Sequence, residues 1–337
     1  MQTQPTLPRL RTKLAFWLLL GMLSTALAEV TVASQVAPFF TVAGLLIAFP
    51  VYSLHILVLG HLVAVRNKPT VSLVWTAGIL FGFYEFLITK VLWNPPWTTD
   101  PFRIAGVAIP ELLVIGLFYH AFMAFLMPLW IGERSLTNSR SIPLPKRLAR
   151  IFSGKGRWVA PALFGLVAGA TAQERVGLSI ASFALAAAGV LWWRRRGHTR
   201  WALIELLPDR REFRWLAGVL GICYLMATVA IRPEKLPGLL GWFSMLVLYA
   251  AVIFLFIRLE RRQREDPDLP RTAQKLDVQI RPAIVATLVG LVAGVALPPT
   301  LGRLLMIVII WGGGAVLGLV MLWGAARSAR RPVPERT

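Results

Sequence analysis

Residues 72–97 read SLVWTAGILFGFYEFLITKVLWNPPW, an apolar run that contains two charges, Glu85 and Lys90, and ends in WNPPW (93–97). About 20 mostly apolar residues are enough to cross the hydrocarbon core of a bilayer. Tryptophan concentrates at the membrane–water interface, and proline interrupts a helix. The stretch therefore predicts a membrane-spanning helix over 72–93, anchored at its outer end by tryptophan and followed by a proline-rich loop.

The composition of the whole chain is that of a membrane protein. Of its 337 residues, 56% are hydrophobic and 15% are charged, and the mean hydropathy is +0.65. Soluble domains have about 45–50% apolar and about 25% charged residues. Other stretches resemble 72–93 in length and hydropathy, namely 14–33, 40–63, 108–130, 158–173, 176–193, 213–231, 237–257, 282–298 and 302–325. Together they predict an all-α, polytopic integral membrane protein with about ten transmembrane helices.

The distribution of lysine and arginine predicts how these helices are oriented. With a cytoplasmic N-terminus, the segments facing the cytoplasm hold 30 of the 36 basic residues, as the positive-inside rule requires. We therefore expect both termini to be cytoplasmic, in the cell membrane, with anionic lipid headgroups against the basic loops. The formal net charge of +20 does not indicate nucleic-acid binding, because no aromatic-interleaved basic motif accompanies it.

The N-terminal segment has a second interpretation. Basic residues, an apolar run over 14–23 and the sequence ALA before Glu29 also resemble a cleavable signal peptide. Cleavage after Ala28 would leave nine helices and an outward N-terminus. The apolar run continues through Val30 and Val32, which favours a retained helix.

Composition also divides the chain along its length. Residues 1–133 hold four helices with the intramembrane polar groups, 134–157 form a basic cytoplasmic linker, and 158–337 hold six apolar helices as three hairpins. The hexapeptides GLVAGA (165–170) and GLVAGV (290–295) place small residues four apart. That spacing lets the backbones of two helices approach closely.

Ionisable residues within the predicted spans are concentrated in the first four helices. Such groups are costly in a bilayer and indicate function or pairing between helices. A rise of about 1.5 Å per residue places a carboxyl, an imidazole and a phenol at one mid-bilayer depth, with a second imidazole one turn further in. This set suits general acid–base catalysis, proton relay or cation binding; the alternative is hydrogen bonding that only packs the helices. The candidate catalytic residues are Glu85, His120, Tyr52 and His55.

A second polar layer is predicted nearer the outer surface. It contains two carboxyl groups and two cations, at the end of the first helix, the end of the third, the loop after it and the start of the fourth. We expect an ion pair here between Lys90 and one of the two glutamates, which would hold helices together. The residues of this layer are Glu29, Lys90, Glu111 and Arg103.

No standard cofactor or metal motif occurs in the chain. The sequences HExxH, GxSxG and the P-loop are missing. Cys223 is the single cysteine, so no internal disulfide and no thiolate metal site can form. The sequence therefore predicts neither a bound metal nor a cofactor.

Three functions stay open. The first is an enzyme or binding protein that acts on a lipid-like substrate through an outward-opening site in the first four helices. The second is a proton- or ion-coupled transporter of small molecules, and the third is a non-catalytic subunit of a membrane complex. The first is favoured because transporters built from paired repeats usually draw their site from both halves, and the second half here has few polar residues in its helices. The sequence does not predict the oligomeric state.

Overall fold

Helices form nearly all of the regular structure in the computed structural model, which describes residues 8–65, 69–145, 149, 154–230, 237–265 and 280–330. The helices of this part of the chain are α1 (Leu10–Val30), α2 (Gly44–Ala64), α3 (Val71–Phe86), α4 (Ile109–Leu136), α5 (Gly156–Ala172), α6 (Val176–Arg195), α7 (Leu203–Leu206), α8 (Arg210–Ala230), α9 (Leu239–Glu265), α10 (Ile280–Val295) and α11 (Pro299–Arg330). The strands are β1 (Arg103–Ile104) and β2 (Val107–Ala108), which pair in an antiparallel hairpin. The predicted all-α class is confirmed.

Several of the helices have the length and hydropathy to cross a membrane. Within the described ranges there are seven of these, α1, α2, α4, α6, α8, α9 and α11, while α3 and most of α10 are shorter apolar helices. Seven of the predicted spans overlap these long helices, whereas 72–93 and 282–298 overlap the shorter helices α3 and α10, and 158–173 overlaps α5. The chain is thus a multi-pass helical protein; ten spans with both termini in the cytoplasm stay a prediction. Residues 146–148 and 150–153 of the predicted linker lie outside the described residues.

The expected helix over 72–93 is wrong at its C-terminal end. The last turn of α3 tightens into a 3₁₀ turn at Phe83–Phe86, and the chain then reverses at Lys90, whose φ is +65°. The carbonyl of Lys90 accepts the N–H groups of Trp93 and Asn94 at 3.0 and 2.8 Å. Leu92 and Trp93, which follow the reversal, pack into the protein core and do not continue the helix through lipid.

Glycines bring α3 and α4 into backbone contact. A Cβ added at Gly78 would lie 2.6 Å from the Cα of Ala121, and one added at Gly82 would lie 2.5 Å from the carbonyl oxygen of Gly116. No side chain larger than hydrogen fits at either position without moving a helix. This close approach carries the end of α3, with Glu85, against the middle of α4.

We expect Gly78→Ala to destabilise the protein by about 1–3 kcal/mol, since overpacking at a backbone contact forces two helices apart. The matched control is Gly218→Ala on α8, where an added Cβ meets nothing within 4 Å; alanine there should be neutral or stabilising, by up to about 1 kcal/mol. Thermal unfolding of both variants in the same detergent measures the difference. Equal unfolding temperatures would contradict the packing argument.

The two similar hexapeptides pack on each other. A Cβ at Gly165 or Gly169 of α5 would collide with the carbonyl oxygens of Thr287 and Leu291 on α10, and the glycines of α10 meet the backbone of α5 in the same way. The pair joins the first and the third of the predicted hairpins. The main apolar core also draws on both predicted halves, including Trp75 and Trp193. The division at 134–157 therefore stays a prediction about composition.

The beginning of the predicted linker is packed into the body of the protein. Glu133, at the end of α4, is fully buried. Its carboxylate accepts the backbone N–H groups of Ser141 and Ile142 at 2.5 and 2.8 Å and the hydroxyl of Ser139 at 3.0 Å. The charge pattern of the linker predicted a cytoplasmic, basic segment. In the structure, hydrogen bonds to a buried acidic residue hold the first part of this segment against the protein.

An ion pair joins the starts of α1 and α8. Lys13 is buried and contacts the carboxylate of Glu212, with Asp209 at 3.9 Å. Asp209 caps α8, because its Oδ1 accepts the N–H groups of Glu212 and Arg211 at 2.9 and 2.8 Å. Those two hydrogen bonds, the one from Glu212 foremost, lower the pKa of Asp209 below its ordinary value.

Candidate functional site

Five polar side chains from α1, α2, α3 and α4 meet inside the helix bundle; we call them the polar cluster. Three of them lie where the helix departs from regular α geometry. Glu29 lies in the π-helical turn Ala26–Val30, Glu85 in the 3₁₀ turn that ends α3, and His120 in the π-helical stretch Leu112–Leu126. Such local widening or tightening is frequent at functional sites. The members of the cluster are Glu29, Tyr52, Tyr84, Glu85 and His120.

His120 is the centre of the polar cluster. Its Nε2 lies 3.0 Å from the hydroxyl of Tyr52, 3.2 Å from that of Tyr84 and 3.3 Å from Oε1 of Glu85. Its Nδ1 lies 3.1 Å from the carbonyl oxygen of Ile115. A carbonyl cannot donate, so Nδ1 is assigned the proton of the neutral ring. Nε2 therefore presents a lone pair to two phenols and a carboxyl group.

A continuous hydrogen-bonded chain runs through the polar cluster. Oε1 of Glu29 accepts from the hydroxyl of Tyr52 at 2.6 Å, and Tyr52 in turn contacts His120. Tyr52 has a single O–H proton, so it can donate to Glu29 or to His120 but not to both at once. A shift of that proton changes which neighbour His120 can accept from. The geometry is that of a relay between two carboxyl groups.

Both ends of this chain reach the same end of the helix bundle. Oε2 of Glu29 accepts from the hydroxyl of Ser34 at 2.7 Å, just beyond α1. The other carboxyl group, Glu85, accepts from the hydroxyl of Thr89, just beyond α3. Ser34 and Thr89 are both exposed. Both termini of the relay, Ser34 and Thr89, therefore lie at the same end of the bundle. The contacts of the described residues do not extend the relay to the opposite end.

The structure does not hydrogen-bond His55 to the polar cluster. Its Nδ1 lies 2.7 Å from the carbonyl oxygen of Val51 and its Nε2 lies 2.8 Å from the hydroxyl of Tyr224. The ring stacks on Phe81 with centroids 4.8 Å apart. Both ring nitrogens are occupied, so His55 forms a separate polar group deeper in the bundle.

Three tyrosines at or near the site were not among the predicted site residues. Tyr84 lies next to Glu85 and completes the contacts of His120. Tyr224 of α8 binds His55, and Tyr249 of α9 donates to the carbonyl of Phe83 at 2.8 Å. Tyr224 and Tyr249 come from the half predicted to be apolar. Each could have been found as a tyrosine inside an otherwise apolar span. Such a tyrosine is as good an indication of a polar site as the histidines that were selected.

The predicted outer layer does not form as one cluster. Glu29 belongs to the polar cluster, and Oε1 of Glu111 accepts from the indole N–H of Trp97 at 2.9 Å. Arg103 donates to the carbonyl of Trp93 at 3.1 Å. Lys90 makes no ion pair within the described ranges, so the expected pairing with a glutamate is wrong. The cause is the early end of α3, which places Lys90 in a loop rather than on the helix.

Metal ligands do not come together in the described part of the chain. Of the histidine, cysteine, aspartate and glutamate side chains described, no three lie close enough to hold an ion. The contacts of the polar cluster are instead those of proton donors and acceptors.

Comparison with known proteins gives a family and no solved fold. No solved structure matches the chain. A protein of Archaeoglobus fulgidus, described as an uncharacterized protein, is 32% identical over 257 residues, which cover 74% of this chain and 79% of the relative. The family model described as an uncharacterized membrane protein family matches residues 18–330. Since that match spans nearly the whole chain, the chain belongs to this membrane protein family.

Proposed function

We propose that the protein is a membrane-embedded enzyme or binding protein that acts on a lipid-like substrate by acid–base chemistry at Glu85 and His120. The observation that carries the proposal is the chain of polar contacts from Ser34 to Thr89, which is hydrogen-bonded from Ser34 to His120 and continues through the 3.3 Å approach of His120 to Glu85, with both ends at one end of the bundle. A relay of this shape serves a substrate that enters from one side.

The proposed roles follow from the proton positions. His120 takes a proton at Nε2 from a hydroxyl or amine of the substrate, as a general base. The imidazolium that results lies 3.3 Å from Glu85, whose carboxylate stabilises it. Tyr84 is the hydrogen-bond donor for an oxygen that gains negative charge. Glu29 fixes the orientation of Tyr52 through the 2.6 Å hydrogen bond.

The alternative is a proton- or ion-coupled transporter. Two carboxyl groups joined by a phenol and an imidazole support that alternative, because such chains also carry protons in pumps and carriers. Transport needs a path to the opposite end of the bundle. Among the described side chains the deeper imidazole, His55, has both nitrogens bound elsewhere, which favours a one-sided site.

Comparison of cells with and without the protein separates these functions. An enzyme or lipid-binding protein changes the abundance of a lipid species, whereas a transporter changes the flux of a solute and leaves the lipids as they were. Untargeted lipid and metabolite profiles from one pair of cultures measure both. If neither profile changes, the remaining function is that of a non-catalytic subunit of a membrane complex.

The proposed topology is ten spans in the cell membrane, with both termini and the basic loops in the cytoplasm and against anionic lipid headgroups. We expect a cysteine at the exposed Thr99, in a Cys223→Ala background, to react with a membrane-impermeant maleimide in intact cells. A cysteine at the exposed Arg196 should react only after the cells are opened. The reverse labelling pattern would contradict the proposed orientation.

A further inference from the structure

Glu111 is a buried carboxyl group with one oxygen that lacks a partner. It lies in the first turn of α4 and is 2% exposed. Oε1 accepts from the indole N–H of Trp97 at 2.9 Å, whereas Oε2 is buried without a hydrogen bond among the described residues. A buried acceptor that is not hydrogen bonded is costly, and such a group in a native protein calls for an explanation. A donor from outside the chain would supply one.

The indole that bonds this carboxyl group packs against a second indole. Trp97 bonds Glu111 on one side and is 51% exposed on the other. Its ring meets that of Trp311 on α11 with centroids 6.0 Å apart and planes at 88°. Tryptophan is the best ring for attracting a cation placed over its face within about 6 Å. A carboxylate oxygen accepts an ammonium N–H, and two perpendicular indole faces attract its charge, so together they supply the contacts that an alkylammonium group needs.

The charges at this end of the bundle also favour a cation. The carboxyl group of Glu111 pairs with no lysine or arginine within the described ranges. The two nearby cations do not neutralise it, because Arg103 is bound to the carbonyl of Trp93 and Lys90 has no ion pair in that part of the chain. A carboxylate without a paired cation attracts cations and repels phosphate or carboxylate ligands.

We propose that Glu111, Trp97 and Trp311 form a binding site for an alkylammonium group, which we call the rim site. Oε2 of Glu111 accepts the ammonium N–H, and the two indoles contact its positive charge and adjacent methylene groups. The ammonium group belongs either to a free amine or to the headgroup of an amino lipid. Binding at the rim site requires no proton transfer at Glu85 or His120, so it stands apart from the proposed acid–base function.

Thermal unfolding of the full chain tests the rim site. The protein is placed in nanodiscs whose lipid, phosphatidylglycerol, contains no amine, and is titrated with ethylammonium chloride, with sodium chloride or with ethanol. A ligand that binds the native state raises the unfolding temperature. We expect ethylammonium to raise it above the value in sodium chloride of equal concentration, and ethanol to have no effect. A second set of nanodiscs containing phosphatidylethanolamine tests the headgroup as the source.

Variants assign the effect to the rim site. Glu111→Gln keeps an acceptor for Trp97 but removes the charge, and should raise the half-saturating concentration at least ~10-fold. Trp311→Leu leaves Glu111 and Trp97 intact and should raise it roughly 5-fold. The matched control Asp100→Asn, an exposed acid of the same loop, should behave as the wild type.

The measured responses either support or overturn the rim site. Stabilisation by free ethylammonium, by phosphatidylethanolamine or by both supports the rim site when Glu111→Gln and Trp311→Leu weaken it. The proposal is overturned if neither amine stabilises the protein, if ethanol acts equally, or if both variants respond as the wild type does. Glu85→Gln should keep the response, and its loss in that variant would reassign the binding to the polar cluster.

Discussion

Glu85→Gln is expected to give cells the same lipid or solute profile as cells that lack the protein. Glutamine has the size of glutamate and can still accept the hydroxyl of Thr89, but it carries no negative charge to stabilise the imidazolium of His120. General acid–base groups contribute about 10²–10⁴-fold to a reaction rate. A loss of that size removes the function without removing the fold.

His120→Ala should have an effect of the same size, and the double variant should be no worse than either single one. Residues that act as one unit are not additive, because removing one already disables the other. The amount of each variant in the membrane and the unfolding temperature of the purified variant are first compared with those of the wild type. Asp100→Asn, which alters an exposed carboxyl group outside the polar cluster, is the matched control.

Lipid and metabolite profiles equal to those of the wild type in both Glu85→Gln and His120→Ala cells would contradict the acid–base proposal. The polar cluster would then serve only to pack helices. An intermediate result for Tyr84→Phe is also expected, since Nε2 of His120 keeps Tyr52 and Glu85 within 3.3 Å when the hydroxyl of Tyr84 is removed.

The helices were predictable from hydropathy, but the end of α3 was not. An apolar run does not distinguish a residue that faces lipid from one that is buried by its own chain. Leu92 and Trp93 are buried in the core after the chain has reversed, and hydropathy assigned both to the helix. The consequence reaches the site, because the extra turns would have placed Lys90 on the helix and not in the loop.

Depth along a helix was sufficient to select Glu85, His120 and Tyr52, and the structure brings these three within hydrogen-bonding distance. Rotation about the helix axis was not predictable in the same way. The π-helical segments around Glu29 and His120 change which residues share a face, and nothing in their apolar sequence marks the change. Contacts between distant helices, such as His55 with Tyr224, also leave no spacing signal in one chain.

Glu133→Ala is expected to cost the protein about 3–5 kcal/mol of stability, the largest structural effect we predict. Removing one partner of a buried charged network takes a compensating interaction away from each of the others. The N–H groups of Ser141 and Ile142 would lose their acceptor, and Arg134, 3.5 Å away, would lose its neighbouring carboxylate. The whole stability of a domain is about 5–15 kcal/mol, so most of this protein would unfold or be degraded on mild heating.

The loss should spread beyond Glu133 because the segment it holds connects two parts of the fold. Ser139, bound to Glu133, also accepts the N–H of Leu203 at 2.9 Å, and the carbonyl of Leu136 accepts the indole N–H of Trp193 at 2.7 Å. Glu205→Ala is the matched comparison, because Glu205 accepts a single backbone N–H, that of Ala202, at 2.7 Å, and should cost about 1 kcal/mol. Unfolding temperatures in detergent, with Glu133→Gln between the two, measure the series. Equal unfolding temperatures for Glu133→Ala and Glu205→Ala would show that the buried carboxylate does not hold the segment. A much lower unfolding temperature for Glu133→Ala would show that the first part of the predicted linker belongs to the folded body, since the residues of the polar cluster are unchanged in that variant.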